Sequence, residues 1–175
     1  NSFDFGIETE IQNENFRGVQ FDGHTDTSIY FSGNVNPKLR VSAGINFNDE
    51  IIRYVAMPVV TWERSIGGEI DYKISDQSNI SFGLEYEEAK EYYDGYTIKF
   101  IGNHAFNSKL TLRSKIQYNG FADTWFIEPL ITYQPTAFSA LYFGINDKLV
   151  IDDGSIFSNF TEVERQLFIK FQYLF

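Results

Sequence analysis

The stretch that decides the fold is the last one, RQLFIKFQYLF, Arg165–Phe175. Leu167, Ile169, Phe171, Tyr173 and Phe175 fall on one side of an extended chain, and Gln166, Lys170 and Gln172 on the other; Phe168 and Leu174 break the pattern. A period of two is the mark of a β-strand. Chain ends usually fray and are polar. Here the clearest strand pattern of the sequence stands at its end, on an aromatic residue.

The same split recurs upstream. Leu110, Leu112, Ile116 and Tyr118 oppose Thr111, Arg113, Lys115 and Gln117, and Ile80, Phe82, Leu84 and Tyr86 oppose Ser81, Gly83, Glu85 and Glu87. Leu39–Phe47 and Phe3–Ile11 alternate in the same way. Looser strands are expected at 25–34, 66–74, 96–106, 123–134 and 138–147, and no amphipathic helix of useful length occurs. Short turns are expected at Asn36–Lys38, Ser75–Ser78, Asn107–Lys109 and Gln134–Thr136, which carry turn-forming residues. More variable links are expected at 14–24, about 48–56, 87–95, 120–123 and 148–163. Short and long links alternate, which describes an up-and-down meander of about ten strands with one tidy rim and one elaborate rim. The stretch 51–65 is the weak point: alternation through it puts Arg64 on the apolar face. A bulge, or a strand running on past an apolar belt, would resolve this.

Composition narrows the class. The 175 residues suffice for one domain, and residues 1–175 are read as such. No apolar run approaches the roughly 20 residues a membrane helix needs, but alternating barrel strands hide that signal. With 14 basic and 24 acidic residues the formal net charge is −10, which argues against nucleic-acid binding. There is no cysteine, hence no disulfide framework and no thiolate metal site. The sequence opens at Asn1 without Met or a leader, as expected of a processed chain or a piece of a longer protein.

Alternation leaves open which face points inward. One face carries charges of both signs: Glu8, Glu10, Lys38, Arg40, Glu69, Asp71, Lys73, Glu85, Lys99, Arg113, Lys115, Glu128 and Lys170. The other carries large aromatics on nearly every strand, too much volume for a small barrel interior. The expectation is therefore a transmembrane antiparallel β-barrel with the charged residues facing the lumen. Tyr86, Tyr96, Tyr118, Trp125, Tyr133 and Tyr173 then fall near the ends of apolar runs, as membrane-interface aromatics do.

Two resemblances add to this reading. The ending, with Phe171, Tyr173 and Phe175, resembles the C-terminal assembly signal of bacterial outer-membrane barrels. It implies recognition by the barrel-assembly machinery and a location in the outer membrane, against the lipid bilayer and lipopolysaccharide. The stretches MPVVTWERS (57–65), KISDQSNISFGLEYEE (73–88), NSKLTLRSKIQYNGFADTWFIEPLITYQPTAFSALYFGIND (107–147) and RQLFIKFQYLF resemble the C-terminal barrel of a family of Bacteroidota outer-membrane proteins of unknown function. That family carries a carbohydrate-binding family 9-like domain ahead of the barrel. The resemblance covers roughly 55–175 and implies a larger barrel or envelope assembly, with glycan-related uptake; it carries no catalytic residues.

Candidate chemistry is sparse. His24 lies between Asp22 and Asp26 in a predicted rim loop. It is similar in kind to the Asp and His of ten-stranded, omptin-like outer-membrane proteases, and a rim hydrolase with His24 as base is the alternative to a non-enzymatic barrel. His104 is expected near the tidy rim on the apolar face. The acidic loop residues Asp49, Glu50, Glu87, Glu88, Glu91, Asp94, Asp147, Asp152 and Asp153 have no metal-loop order. No catalytic, cofactor or metal residue is assigned.

Overall fold

A computed structural model describes residues 2–151 and 160–173. Phe175, Leu174, Asp152 and Asp153 lie outside the described residues. The described residues form ten strands and no helix: β1 (Ser2–Phe16), β2 (Val19–Asn36), β3 (Leu39–Ile52), β4 (Val59–Lys73), β5 (Ser78–Ala89), β6 (Tyr93–Ala105), β7 (Leu110–Asn119), β8 (Thr124–Thr136), β9 (Ser139–Ile151) and β10 (Phe160–Tyr173). They make one antiparallel sheet in sequence order, the expected meander.

The elaborate links are shorter than the sequence suggests, because the strands run on through them. The predicted link 14–24 is a hairpin in which only Arg17 and Gly18 stand outside the strands. Both have positive φ, 52° and 81°, the backbone that a two-residue hairpin of this twist requires. A register shift between Gln12 and Glu14 is absorbed locally: Gly23, with φ 74°, donates its N–H to Asn13 Oδ1 at 2.7 Å. His24 is therefore a strand residue opposite Gln12, not a loop residue. β3 and β5 likewise extend to Ile52 and Ala89, so Asp49, Glu50, Glu87 and Glu88 also stand on strands. Polar side chains at these ends disguise a strand, since backbone pairing does not depend on an apolar face.

The chain divides into two compact units, Asn1–Glu69 with Leu84–Tyr96, and Ile70–Gly83 with Thr97–Phe175. Burial is inverted relative to a water-soluble sheet along β4 and along the first half of β9, whereas β7 covers its apolar face more than its polar one and β1 and β10 are exposed on nearly every residue of both faces. Along β4 the apolar-face residues Trp62, Ile66, Ile70 and Tyr72 are exposed, while Glu63, Glu69 and Asp71 on the polar face are half-buried. Only seven described hydrophobic residues are buried: Phe21, Ile51, Ile52, Ala89, Tyr118, Ala140 and Ile151. By contrast Phe5, Ile11, Ile169 and Phe171 are each about two-thirds exposed or more, at 66%, 71%, 73% and 67%.

The exceptions to alternation have packing reasons. Phe168 sits on the polar face opposite Gly144, where its ring occupies the space a Cβ would take, 2.3 Å from that position. Tyr30 lies over Gly6 in the same way. Arg64 stays on the apolar face and is paired there with Glu88 at 2.5 Å, near the long-link end of β4. The strand runs on past Arg64 through Trp62 and Val60 to Val59. In the second unit Arg165 does the same, held by Asp147 at 2.7 Å and Glu162 at 2.8 Å. Each unit thus carries an ion pair on its apolar face toward the long links.

Candidate functional site at the acidic strand ends

The densest polar structure lies in the first unit, where β1 to β6 approach their long links. A cleft of about 200 Å³ is lined by Gln12, Glu14, His24, Thr25, Asp26, Asn48, Asp49, Glu50, Ile51 and Arg53. The bulged β1–β2 hairpin makes one wall and the end of β3 the other. Arg53 bridges them, 2.8 Å from Glu14 and 3.4 Å from Glu50, with Phe16 under its guanidinium at 5.7 Å.

Asp49 accepts the backbone N–H of Thr25 at 2.9 Å and its hydroxyl at 2.8 Å. Those two donors hold its carboxyl below the usual carboxylate value. Asp26 accepts Asn46 Nδ2 at 2.7 Å. His24 Nδ1 lies 3.2 Å from the backbone carbonyl of Asp49. A carbonyl only accepts, so Nδ1 donates in this contact. The group orienting His24 is thus a main-chain oxygen rather than a neighbouring carboxylate. The side-chain oxygen of Asn48 is buried without a hydrogen-bond partner.

Beside the cleft, Tyr93 at the start of β6 places its hydroxyl against Glu63 of β4 and, at 3.2 Å, Glu87 of β5. Burial raises both carboxyls above their usual value; Glu63 adds to the effect on Glu87, while Glu50 and Asp26 add to that on Glu63. Burial and Glu63 raise the Tyr93 phenol as well. Sequence reasoning placed Glu87 in a loop and passed over Glu63 and Tyr93. The usable signal was parity: Glu63 shares the face of Glu69 and Asp71 once β4 is carried back through the weak stretch.

Within each unit the ladders place some of the expected charges on a common face: Glu8, Glu10 and Arg40 in the first, and Lys99, Arg113, Lys115, Glu128 and Lys170 in the second. Glu8 stands opposite Ser28 and Glu10 opposite Asp26 in the first unit, and Arg40 reaches Ser32 Oγ at 3.5 Å. In the second unit Lys115 stands opposite Glu128, 3.6 Å away, and Lys170 lies over the Tyr142 ring at 5.8 Å. Asp71 accepts the Ser81 hydroxyl, and Lys73 pairs with Asp76 at 2.6 Å in the turn. Arg113 faces Asn103 and Lys99 faces Gln117.

The six expected interface aromatics divide. Tyr133 and Tyr173 are exposed at 44% and 53%, and Tyr86, Tyr96 and Trp125 are half-buried. Tyr118 is only 2% exposed: its ring packs on Trp125 at 5.1 Å and its hydroxyl donates to Asp123 at 2.8 Å. It faces its neighbours rather than the surroundings. His104 Nδ1 meets Ser78 Oγ at 2.7 Å with Phe106 edge-on at 4.6 Å. Among the described residues no cluster of His, Asp and Glu fits a metal ion. No protein-family model matches the chain, and no curated protein matches it.

Proposed function

We propose that the chain is an integral β-barrel of a bacterial outer membrane, without chemistry of its own, serving as anchor, channel or component of an envelope assembly. The observation that carries this reading is the inverted burial along β4 and the first half of β9. Burying a large apolar side chain contributes about 1.5–3 kcal/mol, and an aqueous protein rarely leaves such a face bare. Hydrocarbon supplies the missing burial. It also forbids unpaired strand edges, so in this reading the sheet closes on itself or on further strands. The outer belt then comprises, for example, Ile66–Tyr72 of β4, Ile80–Tyr86 of β5 and Leu167–Tyr173 of β10, with the ion pairs of Arg64 and Arg165 at its polar edge.

The polar face becomes the lumen. Its acidic residues gather near the long links in the first unit, and Lys38 and Arg40 stand at a short turn. Such a gradient steers cations. The partners in this reading are the bilayer with its lipopolysaccharide, the barrel-assembly machinery during biogenesis, and envelope proteins. The resemblance to the Bacteroidota family makes glycan uptake the first assembly to test.

The chain contains no cysteine, so single cysteines report cleanly. In protein folded into lipid vesicles, Ile169→Cys and Leu141→Cys should resist a water-soluble maleimide and react with a bilayer-dissolved probe, and Arg17→Cys should do the reverse. Ready aqueous labelling at position 169 in a folded sample would overturn the proposal. Conductance across planar bilayers separates a channel from an anchor.

A further inference from the structure

Two carboxylates converge on one phenol in the first unit. Tyr93 Oη is hydrogen-bonded to Glu63 and lies 3.2 Å from Glu87 Oε1. A phenol has a single proton to donate, and an ionised carboxylate has none. Tyr93 therefore satisfies one glutamate by donation and meets the other only as an acceptor. With both glutamates ionised, one contact is oxygen against oxygen, lone pair toward negative charge. The arrangement closes if Glu87, at the longer contact, is protonated and donates to Tyr93, which donates to Glu63.

The surroundings favour holding that proton. Glu63 feels Glu50 of β3 and Asp26 of β2, and Glu87 feels Glu63 and Glu85. Arg64, next in sequence, points to the opposite face and is engaged by Glu88.

We propose that Glu63, Tyr93 and Glu87 hold one proton between them and form a pH-sensitive clasp that fastens the long-link end of β4 to the β5–β6 hairpin. β4 and β5 are joined through residues 74–77 at their other ends, so near the long links β4 is secured by the ladder, the Arg64–Glu88 pair and the Phe47–Trp62 stack on one face and by this clasp on the other. Loss of the proton sets two charges against each other and loosens the end of β4 and the link 53–58. That link carries Tyr54 and Met57, exposed at 70% and 78%. All members belong to the first unit, so the clasp stands whether or not the sheet lies in a membrane.

The pH window follows from the direction of the shift. Both carboxyls lie above the ordinary 4.5 in the folded chain. Their contribution is fully present below 4.5 and is lost as pH rises through the raised folded value.

The test uses the whole chain folded in detergent, with ¹³C-labelled glutamate and amide hydrogen exchange followed against pH. One glutamate carboxyl should titrate above 4.5, and amide protection at 60–64 and 91–94 should fall roughly tenfold across that titration. Glu87→Gln, whose amide donates to Tyr93 at every pH, should keep the protection constant. Tyr93→Phe should lack it throughout. Ordinary titration of both carboxyls, or a Glu87→Gln variant that loses protection in step with the unmodified chain, would overturn the proposal.

Discussion

Ile169→Arg separates the membrane reading from every aqueous alternative. Ile169 is 73% exposed on the apolar face of β10, opposite Phe143. It lies midway between Arg165, in its ion pair with Asp147, and Tyr173. Four residues on either side, at a rise of about 3.3 Å and a tilt of about 40°, put roughly 10 Å of strand along the membrane normal in each direction. That is the middle of a belt about 25 Å tall. An arginine there costs about 2–4 kcal/mol in a bilayer. The same substitution at so exposed a position in water stays within about 0.5 kcal/mol. The assay is urea unfolding of protein folded into phospholipid vesicles, followed by the fluorescence of Trp62 and Trp125. Gln172→Arg, on the polar face of the same strand, is the control and should change little. Indistinguishable midpoints for Ile169→Arg and the parent chain would refute the reasoning, and so would a parent chain that stays folded and monomeric without detergent.

Three further outcomes are expected. Gly68→Ala places a Cβ 2.9 Å from the backbone carbonyl of Ser42, which cannot swing aside, and should cost about 1–3 kcal/mol in the same unfolding assay; Gly44→Ala, with 3.4 Å to its nearest neighbour, should be milder. The Asp49 carboxyl is held low by Thr25, so its cross-strand link is present above the ordinary 3.8 and is lost as pH falls through the lower folded value; the carboxyl ¹³C shift should titrate below 3.8, and Thr25→Ala should move it up. His24→Ala should leave peptide hydrolysis unchanged from the background of the parent chain folded with lipopolysaccharide. Hydrolysis by the parent that disappears in the variant would establish the rim-hydrolase alternative instead.

The strand pattern was legible wherever one face is apolar. β10, β7, β5, β3 and the first half of β1 show it directly, and three of the short turns carry Asn, Pro, Ser or Asp at the expected places; the expected turn Gln134–Thr136 instead ends β8, and the chain reverses at Ala137–Phe138. The long-link ends were not legible, for a physical reason. There both faces are polar, alternation loses its contrast, and His24, Asn48 and Asp49 read as loop although the strands continue through them. The candidate site lies in that zone. Its acidic composition was visible, but which carboxylates meet was not. That depends on register: Tyr93 comes within reach of Glu63 and Glu87 only because β4, β5 and β6 run on past their apolar stretches.

The strand extensions and the ion pairs on the apolar face belong to one argument. An arginine on a face otherwise made of Trp62, Ile66, Ile70 and Tyr72 would be an error in a strand that ended with its apolar stretch. In the proposed membrane reading a longer strand brings it, with Trp62 beyond it, to the level where hydrocarbon gives way to polar surroundings, and a carboxylate from the adjacent strand meets it there. Arg165 with Asp147 and Glu162 repeats the device in the other unit. Exposed pairs of this kind contribute only about 0–1 kcal/mol in water, so stability alone is a weak reason for placing them. Fixing the depth of the belt is a stronger one. A barrel that shifted along the membrane normal would carry the arginines into hydrocarbon at one end or bare its aromatics to water at the other. The polar extensions beyond the pairs, with the His24 cleft and the Tyr93 cluster, would then be held at a constant height above the bilayer, where a solute or partner protein first meets the chain.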